Sequence, residues 1–414
     1  MATGQWVHRL GAWDSAQPYT GADHGWAHAA RDADAHSVSI GKLHFRTEAD
    51  DYGWSESLLP MHVVGGVGWV QGLPRRDPFS YADHAAEMAA DCAIGESTYT
   101  RYDAAITDRA EQWIDEHASD ERPFALFVSL VAPHFPLAVT RPFVGPYLDL
   151  DLPLEIPEQP IEHPAVAAMA DFFGYHRGFA DEDATRFGRQ LYLGLVSWLD
   201  HNVGRVLAAL DRAGATDDTT VVFTSDHGDM IGNRGLWAKS FMYRDSVDVP
   251  MIVAGPGVPV GVDATTAVNL VDIHPTVLSV VAPDEPYDGP GRSLVELAGR
   301  PEPDRVAFSE YHDGGSITGS FAVRFGDMKY VHHEGFEPEL FDLAADPDEL
   351  VDVATDPTYA DARRSGEDVL RSIVDPGAAD RAAFASQAAL ITQHGGRDAL
   401  LNAFRFDHTP APEV

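Results

Sequence analysis

The chain has 414 residues, 44% hydrophobic and 23% charged, the composition of an ordinary globular protein with room for one large domain and a smaller one. Its 65 acidic and 29 basic residues give a net charge of −36, which excludes nucleic acid and anionic membrane as partners of the surface as a whole. No run approaches the ~20 apolar residues of a membrane-spanning helix, residues 1–9 lack the layout of a signal peptide, and the single Cys92 allows no intrachain disulfide.

Of the 29 basic residues, 26 are arginine and three are lysine: Lys42, Lys239 and Lys329. A chain that uses arginine almost everywhere keeps lysine where a compact ammonium with movable donors is needed. An acidic protein that handles an anion needs such a local cluster of positive charge.

In chain order, residues 3–7 read as a helix end and 25–34 as a helix. Val38 and Ile40 mark a short strand that stops at Gly41, and Lys42 and His44, two apart, project to one side if the backbone stays extended. Residues 46–80 form a glycine- and aromatic-rich insertion of the kind that walls a pocket or packs a core, and 81–118 read as helical, with Ile106, Ala110, Trp113 and Ile114 at helical spacing. The continuous apolar run 123–131 is a strand of the type buried on both faces of a parallel sheet, and Pro133 and Pro136 bracket His134 just beyond it. Residues 137–180 are Pro-rich and read as irregular surface. A long helix spans 186–210, with Leu191, Leu195, Trp198, Leu199, Val203 and Val206 on its inner face, and Gly214 ends it.

The stretch 219–225 is a second buried strand. It stops at Asp226 and His227, a carboxylate beside an imidazole and a plausible pair of metal ligands, with Gly228 turning the backbone. Another strand follows at 249–257 and a helix from 271. Residues 321–332 read as a hairpin about Gly326-Asp327, 339–343 as a short strand, Asp346-Pro347 as the start of a helical piece, 357–405 as amphipathic helix, and the last residues as a frayed end. Strands alternating with helices to about 285 give an α/β class with a mostly parallel mixed sheet flanked by helices, then a small antiparallel subdomain and a helical tail. The expected divisions are 1–299, 300–355 and 356–414. In such sheets the site lies beyond the carboxyl ends of the strands, and Lys42/His44, His134 and Asp226/His227 all fall just past a strand.

Taken together, Gly41-Lys42-Leu43-His44, Pro133-His134-Phe135-Pro136, Ser225-Asp226-His227-Gly228, Lys239, Asp272-Ile273-His274-Pro275-Thr276 and the run from Glu339 to Leu350 resemble the sulfatase family of the alkaline-phosphatase superfamily. Ser309-Glu310-Tyr311-His312 with Met328-Lys329-Tyr330-Val331-His332 looks most like its choline-sulfatase branch. The resemblance implies hydrolysis of a small sulfate ester. Asp226 and His227 would bind a divalent cation, with Ca²⁺ favoured and Mn²⁺ or Mg²⁺ also suited. Lys239, Lys42 and His44 would hold the sulfate and assist the nucleophile, and His134 would protonate the leaving oxygen. A quaternary ammonium end would be met by a carboxylate and an aromatic face, for which Glu310 and Trp54 are candidates.

The family's Cys- or Ser-x-Pro-Ser-Arg, whose first residue becomes the formylglycine nucleophile, does not occur in these 414 residues; Cys92 is followed by Ala-Ile-Gly. The expectation is a sulfatase that opens after its first strand, with Met1 an internal methionine, a missing central strand, poor metal binding and no turnover. The alternatives are a phosphodiesterase or phosphonate monoester hydrolase of the same superfamily, or a non-catalytic remnant. The cysteine usage and the choline-type resemblance favour a cytoplasmic location, and the helical tail is a surface on which a second copy can pack.

Overall fold

The computed structural model describes residues 1–76, 84–403 and 408–414. Residues 77–83, where the expected insertion meets the expected helix, and 404–407 of the expected tail lie outside the described residues. Two short helices, α1 (Val7–Leu10) and α2 (Trp26–Asp32), precede strand β1 (His36–Lys42). Then come β2 (Glu56–Met61), α3 (His84–Ala90), the two-residue β3 (Ala93–Ile94), the long α4 (Thr98–His117) and β4 (Phe124–Ser129). β1 is the middle of a parallel sheet in the order β2-β1-β4, with Ile40 opposite both Leu58 and Val128. β2 falls inside the stretch expected to be a glycine- and aromatic-rich insertion. It carries Pro60, which an edge strand tolerates and which hides the strand pattern in the sequence.

β5 (Ala138–Val139) pairs with β3, and α5 (Arg141–Val144) and α6 (Pro164–Phe173) follow. The Pro-rich stretch is therefore not all irregular surface. Pro164 opens α6 at a position that needs no N–H, Gly174 closes it at φ 65, and Val166, Met169, Ala170, Phe172 and Phe173 sink into the core.

Helix α7 (Glu182–Arg212) is the spine of the molecule. Asp181 caps it by accepting from the Ala184 N–H at 2.8 Å. Leu191 and Leu195 join α6 in one core cluster; Ala209 and Leu210 join a second one with Val38 and Ile40 of β1 and Tyr102, Ile106 and Trp113 of α4. Each such leucine or isoleucine buried from water contributes about 1.5–3 kcal/mol. Trp198, Leu199 and Val206 are half-buried on the same stripe.

β6 (Val221–Thr224), α8 (Arg244–Val247) and β7 (Met251–Ala254) come next, β6 and β7 pairing antiparallel. The expectation of strands buried on both faces is corrected here: all four residues of β6 are half-exposed, as are all of β4 except Ala125. Among the described residues β6 has only β7 beside it and β4 only β1, so the sheet is not continued from β4 to β6 and each keeps an unpaired edge.

After α9 (Ile273–Val281) and α10 (Leu294–Gly299), strands β8 (Ala307–Tyr311), β9 (Ser320–Phe325), β10 (Met328–His333) and β11 (Glu339–Asp342) form an antiparallel sheet in the order β11-β10-β9-β8. The hairpin at Gly326-Asp327 is present. The helical piece expected at Asp346-Pro347 is not. There the Asp342 and Asp346 carboxylates accept from the Ala344, Ala345 and Val351 N–H groups, local bonds that compete with a helix. Helices α11 (Ala360–Ile373), α12 (Pro376–Gln393) and α13 (Arg397–Leu401) make the tail. Leu370 of α11 packs with Phe321, Val323, Tyr330 and Leu340, so the tail covers its own sheet. Near the end of the chain, the Tyr99 hydroxyl donates to the Thr409 carbonyl at 2.6 Å, and residues 410–414 form no helix or strand. No helix among the described residues is long and apolar enough to cross a membrane.

One glycine sets how closely β1 and β4 approach at the site end. Gly41 has φ 105, and a Cβ there would overlap the Ser129 carbonyl oxygen and the Ile106 side chain. Gly41→Ala should cost about 2–4 kcal/mol, whereas Gly65→Ala, at φ 62 in open space, should cost only about 1–2 kcal/mol. Urea unfolding of the two variants checks this, and equal losses would show that the backbone contact is not the constraint.

Candidate active site

Four chain segments converge on a cavity of about 1030 Å³ whose lining includes Lys42, His44, His134, Asp226, His227 and Lys239. The sequence places five of these residues beyond strand ends and Lys239 twelve residues after His227, and the structure brings all six to one space. The route is not always the expected one. β1 ends at Lys42, and His44 sits past it at φ 54 with its N–H on the Met61 carbonyl at 2.9 Å. Strand alternation therefore does not align Lys42 with His44; a left-handed turn does.

His134 stands between two cis X-Pro bonds, in a loop held by a residue that sequence reading passed over. Asp103 of α4 is buried, and its carboxylate accepts from the Val131 N–H at 2.7 Å and the Ala132 N–H at 3.0 Å. Burial pushes the carboxyl up to about 6 against those two bonds. Its signal in the sequence was an acid on the apolar stripe of α4, three residues before Ile106.

The Asp226-His227 turn is closed by Gly228, where a side chain would overlap the Asp245 carbonyl oxygen. The Ser225 hydroxyl donates to the His227 carbonyl at 2.8 Å. Lys239 lies between Ala238 at φ 57 and Ser240 at φ 89, both in the left-handed region. Such positions cost about 1–3 kcal/mol each and persist only where neighbours fix them. Here the Met230 N–H donates to the Ala238 carbonyl at 2.7 Å, and the Ser240 N–H to the Ser246 hydroxyl at 3.1 Å.

The Lys239 ammonium lies 2.9 Å from His134 Nε2, and His134 Nδ1 lies 2.8 Å from the Phe135 carbonyl. An ammonium only donates, so Nε2 accepts and the ring's proton sits on Nδ1. Burial, then Lys239 and Lys42, hold the His134 imidazole well below its ordinary range. The same causes hold His44 at about 3, burial first and then Lys42 and Lys239. Burial, then Lys239, holds His227 at about 4, and burial, then Lys42, brings Lys239 down to about 8. The site is thus two ammoniums among neutral imidazoles. Asp229, which also escaped notice, is half-buried near Lys239, and desolvation raises its carboxyl to about 6.

Asp226 and His227 suit a cation. Burial raises the Asp226 carboxyl, but His227, Lys42 and Lys239 outweigh it and hold the group below the usual carboxylate range. His227 Nδ1 lies 2.8 Å from the Gly228 carbonyl, to which its N–H donates, leaving the Nε2 lone pair free 3.7 Å from Asp226 Oδ2. Among the described residues no third His, Cys, Asp or Glu forms a close ligand cluster with this pair.

Two expected substrate contacts stand differently. Trp54 is not among the cavity residues; it packs edge-on to Trp26 and parallel to Phe127 against the back of the sheet. Glu310 does line the cavity, but it is taken: it accepts from the His8 N–H and lies 3.0 Å from His8 Nδ1 and 3.1 Å from His312 Nε2. Lys329 also lines the cavity, in a buried ion pair with Glu349 at 2.7 Å.

The Asp103 brace is testable. Asp103→Ala leaves two buried N–H groups unpaired and should cost about 2–5 kcal/mol in stability, while Asp103→Asn, which keeps one acceptor, should lose less than half of that. Calorimetric unfolding of both checks it; equal losses would assign the effect to helix packing.

A sulfatase family profile matches residues 55–282, and one described as N-sulphoglucosamine sulphohydrolase, C-terminal, matches residues 232–374. The chain is 32% identical over 375 residues to a choline-sulfatase of Rhizobium meliloti (strain 1021), covering 86% of this chain and 72% of that protein. It is 29% identical over 401 residues to arylsulfatase K of Danio rerio, covering 91% and 73%. Its fold matches a protein solved with D-glucosamine-2-N,6-O-disulfate at TM-score 0.69 and 21% identity, over 90% of this chain and 85% of that one. It also matches the phosphonate monoester hydrolase of Silicibacter pomeroyi at TM-score 0.68 and 23% identity, over 90% and 84%. The chain belongs to the sulfatase family, sulfuric ester hydrolases of the alkaline-phosphatase superfamily.

Proposed function

We propose that the cavity binds the sulfate group of a small sulfate ester, of the choline sulfate type, between Lys42, Lys239 and the imidazoles of His44 and His134. The observation that carries this reading is the convergence of two ammoniums with neutral imidazoles beside Asp226 and His227, in a protein whose net charge is −36. Charged donors fixed in a recessed site stabilise an anion better than the same groups in water, because their dipoles need no reorganisation. A bound sulfate offsets the repulsion between Lys42 and Lys239 and raises the pKa of His134. His134 is then placed to take up a proton at Nε2 and pass it to the leaving oxygen, with Lys239 at hydrogen-bond distance.

Asp226 and His227 would hold a divalent cation, with Ca²⁺ favoured by the carboxylate, and such an ion draws charge from a sulfate oxygen. Two ligands make a weak site for an ion that takes six to eight. The choline end is supported by the 32% identity to a choline-sulfatase and by the aromatic lining from Trp69, Tyr99, Tyr175 and Tyr311, rather than by Trp54 or the already paired Glu310. A phosphonate or phosphate ester is the second reading, supported by the phosphonate hydrolase fold and by a relative described as a multifunctional alkaline phosphatase superfamily protein, 30% identical over 288 residues. Matched binding titrations of choline sulfate and a phosphonate monoester separate the two.

The 414 residues contain no Cys- or Ser-x-Pro-Ser-Arg, so this chain by itself should bind the ester without hydrolysing it. Turnover of an aryl sulfate by the chain alone would overturn that part of the reading. Binding should also follow Lys239. With a pKa of about 8 for Lys239, affinity for inorganic sulfate should be flat below pH 8 and fall about tenfold per unit above it; Lys239→Ala should abolish that dependence and weaken binding at least tenfold. The stability sign is opposite: an ammonium lowered from 10.5 to about 8 penalises the folded state below pH 8, and the penalty is relieved between 8 and 10.5. Isothermal titration and unfolding across pH 7–10 read both effects.

A further inference from the structure

A second cluster lies away from the cavity. His163, His333 and Glu339 each offer one ligand atom, and these atoms lie within 4.8 Å of one another. None of the three lines the cavity. They come from three elements: His163 is the N-cap of α6, His333 ends β10, and Glu339 opens β11. His333 and Glu339 are buried, with His333 Nε2 at 3.1 Å from Glu339 Oε2. The two imidazole rings are 4.4 Å apart at their centroids. Outside this trio, Ser320, directly across the sheet, places its hydroxyl 2.8 Å from His333 Nδ1, and the Glu337 carbonyl lies 3.0 Å from His163 Nε2.

We propose that His163, His333 and Glu339 form a transition-metal site of Zn²⁺ type that fastens the β10–β11 hairpin to the start of α6. The donor set decides the metal class. Two imidazoles and one carboxylate suit Zn²⁺ and its neighbours and do not suit Ca²⁺ or Mg²⁺, which take oxygen ligands. Zinc bonds of about 2.0–2.1 Å require the three ligand atoms to draw together, which rotation of the Glu339 carboxylate and the half-buried His163 ring can supply. The Ser320 hydroxyl accepts from His333 Nδ1–H and so leaves Nε2 for the metal, the arrangement that orients ligating histidines. The ion replaces the His333–Glu339 and His163–Glu337 hydrogen bonds, and the Glu337 carbonyl or a water completes four ligands. Zn²⁺ enters without redox change; His163 keeps its one ring proton, which moves from Nε2 to Nδ1 as the ring turns away from the Ala165 N–H that Nδ1 accepts from, and only the proton shared by His333 and Glu339 passes to solvent.

The test uses the full chain carrying His227→Ala, which disables the cavity pair, stripped with a chelator and titrated with Zn²⁺ by calorimetry and with Co²⁺ by visible absorption. The expected result is one equivalent bound at micromolar or tighter affinity, with a tetrahedral Co²⁺ band, an affinity that falls as pH is lowered, and a raised unfolding temperature. His163→Ala should weaken binding at least thirtyfold and remove the thermal shift, and Glu339→Gln should do the same. His163 is the variant of choice, since it is half-exposed and its loss leaves the buried His333 in place; circular dichroism confirms the fold. Absence of binding to the His227→Ala chain, or equal affinity with and without His163, would overturn the proposal and leave the trio as a hydrogen-bond cluster.

Discussion

Two like charges share one recessed space, and most of what is unusual in this fold serves to keep them there. Lys42 and Lys239 repel each other in a half-buried site, and the lowered pKa of Lys239 records both the partial loss of water and the repulsion. Nothing in the chemistry of an isolated cavity favours this arrangement. It is sustained by the surrounding chain: the left-handed turns at His44, Ala238 and Ser240, the close backbone passage at Gly41, and the Asp103 carboxylate that grips the loop before His134. Asp226 and Asp229 offset part of the cost at Lys239.

The third lysine shows what the same residue looks like when it serves structure. Lys329 lines the same cavity and is buried, but Glu349 meets it at 2.7 Å. The same carboxylate accepts from the Arg244 N–H at 3.0 Å, and the Glu349 carbonyl accepts from Arg234 at 2.8 Å. That junction ties the antiparallel sheet to the segment following Lys239. A buried ammonium held by a carboxylate is a fastening; Lys239 instead stands against an imidazole and near a second ammonium.

Much of this was legible in the sequence because the signals were local. Apolar runs gave β1, β4, β6 and α7, and the polar residues just beyond three of those strands gave the site. The misses share a cause: their pattern depends on residues far away. β2 is an edge strand with a proline, recognisable only once β1 lies beside it. Asp103 reads as one polar residue on a helix until the loop it braces is in place. Trp54 has the right chemistry for a cation, but the packing of Trp26 and Phe127 had already engaged it; Glu310 does line the cavity, in contact with His8 and His312. The depth of β4 and β6 was misjudged because apolar composition reports what a strand can bury and not whether a neighbouring strand is there to cover it.

The unpaired edges of β4 and β6 bear on how the molecule behaves in company. Rows of free backbone donors and acceptors are adhesive toward other strands, and identical chains carry identical rows. At low ionic strength the net charge of −36 holds copies apart. Screening shortens that protection to about 10 Å at 0.1 M salt, comparable to the reach of a side chain. The acidity of the surface therefore acts as a guard on the sheet, and that guard weakens as salt concentration rises.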